Sequence, residues 1–199
     1  MQPRKNLPAE YSATATLDLA QNRPLAVGLS VLGLILFFLF AVAFTIFAAL
    51  LRYDSEGGEI AFQVGRDNLW PVLGWGLLVV GVTVLLHELI HALFIRLFTG
   101  EWATFGFKGL YAYAAAPKWY IPRNLHIAVA LAPLVILSLL GVLMIPWIAY
   151  ELLPALLLAL ITNAAGAVGD MVTVGWLLRQ PRNAYVNDYG DGFTIFTTQ

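Results

Sequence analysis

The chain has 199 residues, of which 60% are hydrophobic and 12% charged, with a net charge of −1 and a mean hydropathy of +0.77. Soluble domains hold about 45–50% apolar and about 25% charged residues, so a soluble globule is excluded, as is long intrinsic disorder, which needs low hydrophobicity and high net charge. The near-neutral balance gives no basic field for nucleic acid, and the absence of Cys rules out disulfides, thiolate metal sites and cysteine nucleophiles.

Residues 1–24 read as an irregular polar tail. Four apolar runs follow, Leu25–Leu51, Trp70–Ile95, Leu125–Tyr150 and Leu152–Leu178, each 26 or 27 residues long. A helix needs about 20 apolar residues to cross the hydrocarbon, so each run predicts a transmembrane span. The first is too long for a signal-peptide core and lacks a cleavage pattern behind it, so it reads as a retained anchor. Arg4, Lys5, Arg23, Arg96, Lys108, Lys118, Arg123, Arg179 and Arg182 fall on one side of these spans, against Arg52 and Arg66 on the other. The positive-inside rule then places both termini in the cytoplasm. The expected architecture is an all-α, multi-pass protein of the plasma membrane, a single unit over residues 1–199.

Between the spans, residues 52–68 form an acidic outside loop with Asp54, Glu56 and Glu59. The stretch Glu101–Ala116 alternates around Lys108-Gly109 and reads as a small cytoplasmic β-hairpin with an aromatic face. An aromatic belt at the headgroups is the plainer reading. The tail around Phe193, Thr194 and Ile195 offers a further strand.

The second run contains His87-Glu88-Leu89-Ile90-His91. Helical residues four apart share a face, so both imidazoles can hold one ion, with Glu88 beside it as general base toward a zinc-activated water. Ionisable groups inside a span cost several kcal/mol unless paired, solvated or functional. A metal is the simplest compensation, and a polar cluster satisfied by neighbouring helices is the alternative. Asp170 is the one ionisable residue between Leu152 and Leu178. Like His87 it stands 8 residues before the end of its run, at a depth of about 12 Å, which makes it the candidate third ligand. Asn163, two turns earlier near the same face, is a candidate to hold the substrate backbone or an oxyanion, or else interhelical glue. His126 opens the third run as an interfacial residue or an alternative ligand. Two imidazoles and a carboxylate favour Zn²⁺, with Fe, Co and Mn as other occupants.

On these residues the chain resembles small bacterial membrane proteins grouped as zincin peptidases, a family otherwise of unknown function. The resemblance runs through residues 70–199. It is carried by the HELIH sequence, Phe105-Gly106-Phe107-Lys108, Tyr111-Ala112-Tyr113-Ala114, Leu131-Ala132-Pro133 and Gly169-Asp170. More distantly the chain is similar to site-2 intramembrane metalloproteases, which pair such a helix with an aspartate on a later one. The resemblance implies His87, His91 and Asp170 as zinc ligands and Glu88 as the base. The chain departs from the protease pattern in having no Pro between Asn163 and Asp170 and in its Gly-Asp order. The expected function is zinc-dependent peptide hydrolysis in or beside the bilayer, on a membrane or membrane-associated protein. A zinc carrier or sensor and a catalytically retired binding platform are the rivals.

Overall fold

The computed structural model describes residues 1–18, 22–52, 68–108, 111–190 and 192–198. Its elements run β1 (Tyr11–Asp18), α1 (Arg23–Leu51), α2 (Leu69–Thr99), β2 (Thr104–Lys108), β3 (Tyr111–Ala115), β4 (Tyr120–Pro122), α3 (Arg123–Met144), α4 (Leu153–Gly166), α5 (Val168–Leu177), β5 (Tyr185–Asp188) and β6 (Gly192–Thr198). A single 3₁₀ turn, Tyr150–Leu152, precedes α4. The acidic loop expected over 52–68 falls largely on 53–67, outside the described residues, as do Gly109 and Asp191.

Local chemistry sets the helix ends. The Asn22 side chain accepts from the Leu25 N–H at 3.1 Å and starts α1, with Pro24 in the first turn, where its missing N–H costs nothing. Gly100, at φ 77°, closes α2 in the left-handed conformation that glycine adopts without strain. α3 stops at Met144, short of the expected Tyr150: Ile145 keeps helical angles, but Pro146 has no N–H to carry the hydrogen-bond ladder on. Among the described residues, four stretches are long and apolar enough to cross a membrane: Arg23–Leu51, Leu69–Thr99, Arg123–Met144 and Tyr150–Leu177. Many of their large side chains face outward, such as Leu34, Phe38, Leu77 and Leu97, as helices solvated by lipid require.

The last of these stretches is not one continuous helix. The chain breaks at Ala167, whose ψ of 7° departs from the helical value, so that α4 and α5 are separate. Gly166, a poor helix former with nothing beside its α-carbon, marks the break. Asp170 thereby falls in the first turn of α5, where a carboxylate suits the helix dipole.

Two expectations are corrected here. The fold is mostly helical but not all-α, and residues 1–24 are not an irregular tail. β1 pairs antiparallel with β6, β6 with β5 and β5 with β4, giving a four-stranded sheet in the order β1-β6-β5-β4 that joins both ends of the chain. Pairing between strands so far apart in sequence leaves little local trace. β2 and β3 form the expected hairpin as a separate two-stranded sheet. Every strand connects to the start of α1 or α3 or to the end of α2 or α5, so all six lie at one end of the bundle.

Three apolar clusters hold these parts together. Ala48, Ile145, Leu153 and Leu157 join α1 to α4. Ala92, Ile95, Ile121 and Val129 join α2 to α3 and the hairpin end. Leu177, Val186, Phe193 and Ile195 seat the sheet on α5. Some close approaches need glycine: a Cβ at Gly192 would run into the Leu17 carbonyl of β1, and one at Gly190 into the Tyr113 ring of β3.

At the opposite end, buried Arg52 closes α1 against the end of α3. Its guanidinium donates to the Ile145 carbonyl at 2.6 and 2.8 Å and to the Ile148 carbonyl, and it lies over the Tyr150 ring. Charge-assisted hydrogen bonds of this kind each contribute about 1.5–3 kcal/mol. Arg52→Leu is expected to lower the thermal midpoint in mild detergent by several degrees, with Arg52→Lys intermediate. An unchanged midpoint in both would show that this contact does not hold the two helices.

Candidate metal centre

α2 turns Thr83, His87, His91, Ala92 and Ile95 inward. His87 and His91, one helical turn apart, stack edge to face with ring centres 4.9 Å apart. Asp170 comes to them from the first turn of α5. Its Oδ2 lies 3.1 Å from His87 Nε2 and 3.5 Å from His91 Nε2. These three side chains form the one potential metal-holding group among the described residues, with ligand atoms within 4.8 Å of one another.

The outer nitrogens decide what the inner ones can do. His87 Nδ1 lies 2.9 Å from Asn163 Oδ1, and His91 Nδ1 lies 2.9 Å from the Val129 carbonyl. The Asn163 amide is oriented by its other end, whose nitrogen donates to Ser138 Oγ at 3.2 Å and to the Leu134 carbonyl at 3.5 Å. Both partners of the imidazoles are therefore acceptors, so both Nδ1 atoms carry the proton. Each Nε2 faces the Asp170 carboxylate: protonated it donates there, and deprotonated it presents a lone pair. In the deprotonated state the two nitrogens and the carboxylate oxygen are three acceptors turned on one another, an arrangement that a cation among them satisfies. A divalent ion with tetrahedral habit and nitrogen and oxygen preference fits this donor set, and three protein ligands leave one position open. Outer partners on ligating histidines are the usual means of fixing tautomer and ring angle.

Glu88 stands next to the cluster and its carboxylate accepts a hydrogen bond from the backbone of Ala114 on β3. It opens with the three candidate ligands into a cavity of about 480 Å³, walled by α2, β3, α4 and α5 and by the tip of the β5–β6 turn. His126, on the first turn of α3, also lines this cavity but is not brought into the His87–His91–Asp170 group. Its neighbour is Asp188 of β5, with Nε2 and Oδ2 3.9 Å apart. Burial pushes the Asp188 carboxyl up to about 6, against the pull of the hydrogen bond from the Gly190 N–H.

Asp188, Ser138 and the carbonyl of Val129 were not expected at the site from sequence. Asp188 had no helical or strand pattern pointing inward, Ser138 is a common span residue, and a backbone carbonyl has no sequence signature. Asn163 is at the site, with its oxygen on His87 and its nitrogen on α3.

Residues 80–185 match the family model described as “Putative zincin peptidase”. The match takes in more than half of the chain, which therefore belongs to that family. No curated protein and no solved structure matches it.

Purified protein in mild detergent is expected to carry about one zinc per chain by elemental mass spectrometry, and His91→Ala and Asp170→Ala are expected to lose it. Asn163→Ala should retain zinc but weaken its affinity about 10–100-fold, the usual effect of removing an outer partner, read by chelator competition. Full zinc occupancy in Asp170→Ala would remove that residue from the ligand set.

Proposed function

We propose that this member of the zincin-peptidase family is a zinc-dependent peptidase that cleaves membrane or membrane-associated proteins within or beside the bilayer. The observation that carries the reading is the convergence of two imidazole nitrogens on one carboxylate oxygen, with Glu88 beside them and outside that group. His87, His91 and Asp170 would hold the zinc. Bound there, zinc would act as a Lewis acid, acidifying water and polarising a carbonyl. A carrier or sensor has no need of Glu88 in its place, and ionisable groups strung along a path are missing from the outer half of α2 and from α4.

The residues divide the work. Glu88 takes the proton of the attacking water and returns it to the leaving nitrogen, the two halves of general base and acid catalysis. The bond from Ala114 holds its carboxylate toward β3. Asn163 serves chiefly as the orienting partner of His87, since its own amide nitrogen is engaged by α3. A substrate helix conceals its carbonyls in its own hydrogen bonds and has to unwind before cleavage. β3 has β2 on one side, and its residues Ala112 and Ala114 line the cavity. Residues two apart in an antiparallel strand turn their N–H and C=O to the same edge, so Ala112 shares the edge on which Ala114 meets Glu88. An unwound segment can pair there by strand addition.

The positive-inside count supports a plasma-membrane protein with both termini in the cytoplasm. In that orientation the strands, the hairpin and the nearer mouth of the cavity face the cytoplasm, the side from which water enters.

Reconstituted vesicles holding the full chain and tagged membrane-helix reporters provide the test. Glu88→Gln is expected to keep its zinc and lose cleavage by about 10²–10⁴-fold. A Glu88→Gln protein that cleaves as fast as wild type would overturn the mechanism. Ala112→Pro, which removes one edge N–H, should raise KM without changing zinc content. If KM stays put, strand addition at β3 is wrong.

A further inference from the structure

The catalytic cavity holds a second pair of polar side chains that the steps above do not use. His126 is 5% exposed, lines the cavity together with Glu88 and the candidate ligands, and has His91 and Asp170 as electrostatic neighbours. Its Nδ1 is buried and has no hydrogen-bond partner. Buried polar groups are nearly always paired, so an orphan in a cavity marks a place where something else binds. Its other nitrogen faces Asp188, whose second oxygen is fixed by the Gly190 N–H at 2.9 Å.

Peptide hydrolysis needs a donor aimed at the carbonyl oxygen as it becomes negative, and such donors are worth about 10²–10³ in rate. Asn163 has its amide nitrogen engaged on α3. Thr83 and Ser30, also in the wall, donate to the carbonyls of their own helices. We propose that His126 donates a hydrogen bond to the carbonyl oxygen of the peptide being cleaved and stabilises the charge that develops there, with Asp188 orienting its ring.

This rests on the peptidase reading. The attacking water gives one proton to Glu88 as its oxygen bonds to the carbonyl carbon, and the π pair of the C=O moves onto the oxygen facing His126. When the C–N bond breaks, its electron pair leaves on nitrogen, which takes the proton from Glu88, and the C=O re-forms. His126 donates throughout and transfers no proton. For Nδ1 to donate, Nε2 must be met by Asp188, either as carboxylate to imidazolium or as carboxylic acid to neutral imidazole. Both arrangements leave an N–H at Nδ1. The 3.9 Å separation is longer than a hydrogen bond by about 1 Å, and such contacts commonly tighten when substrate binds.

The test uses the full chain, zinc-loaded, in lipid nanodiscs. Four quantities are measured: zinc per chain, kcat and KM on a reporter helix that wild type cleaves, and affinity for an N-blocked alanyl phosphinic dipeptide, whose charged P–O copies the tetrahedral centre. His126→Leu is expected to keep its zinc, to lose about 100-fold in kcat with KM nearly unchanged, and to bind the phosphinic probe about 100-fold more weakly. His126→Asn, which restores a donor near Nδ1, should recover most of both losses. Asp188→Leu should lower kcat about 10-fold, and Asp188→Asn should recover it, which a purely structural role for the carboxylate would not predict. Thr162→Val tests the other unpaired polar group of the wall: wild-type probe affinity there is expected, and a loss there with none in His126→Leu would assign the donor to Thr162 and overturn the proposal.

Wild-type kcat and probe affinity in zinc-loaded His126→Leu would overturn the proposal and leave the peptidase reading standing. Zinc lost along with activity in His126→Leu would make the residue a ligand and overturn it too. A zinc-loaded wild type without Glu88-dependent cleavage would sink the peptidase reading itself, and this proposal with it.

Discussion

Everything at the centre of this protein depends on two imidazole nitrogens and a carboxylate oxygen being held against one another. They need a proton or a cation between them, because in the low dielectric of a helix bundle bare lone pairs would repel with little screening. The arrangement persists because each ring is pinned from behind, His87 by Asn163 and His91 by the Val129 carbonyl. Those pins come from α4 and α3, while Asp170 comes from α5, so four helices have to pack correctly for α2 to present a metal site. The buried contacts at Ala92, Ile95 and Val129 and at Leu157, Leu160 and Ile161 supply that packing.

The same dependence explains why the two ends of the chain are tied together beside the site. β1 and β6 bring the N- and C-terminal segments into one sheet, and β5 carries Asp188 to the rim of the cavity. A bundle of apolar helices has weak preferences for axial rotation, because lipid is as good a neighbour as leucine. A hydrogen-bonded sheet joined to the starts of α1 and α3 and the end of α5 restricts that rotation at the end where the ligands lie. Tyr113, packed against Gly106 and Gly190, ties the hairpin to the same structure.

What could be read from the sequence divides along a physical line. The apolar runs and the His-Glu-x-x-His spacing are local patterns, and the structure has helices at those runs and both imidazoles on one face. The match in depth between His87 and Asp170 was legible because helices rise at a fixed rate per residue. What escaped was non-local. β1 does alternate, Tyr11, Ala13, Ala15 and Leu17 against Ser12, Thr14, Thr16 and Asp18, so the strand itself was legible; its partner β6, nearly the whole chain away, was not. The break at Ala167 follows a single glycine that most helices would absorb. Asn163 was visible as a polar residue near the right face, but which of its ends meets His87 is decided by Ser138 and Leu134 on another helix.

On the proposed function, the hairpin would meet a difficulty that any peptidase in a bilayer faces. Unwinding a substrate helix exposes N–H and C=O groups, and each one left unpaired in hydrocarbon costs several kcal/mol. Glu88 and the proposed zinc act on one peptide unit and can satisfy little of that deficit. The edge of β3 carries backbone donors and acceptors in register along the cavity wall, starting at the residue that hydrogen-bonds Glu88. Each bond a substrate segment makes to that edge offsets one that unwinding removed, so the energy needed to expose the scissile carbonyl falls where the base is waiting. On this argument the small residues Ala112 and Ala114 matter as much as the charged ones. Larger side chains there would fill the cavity that the incoming strand has to enter.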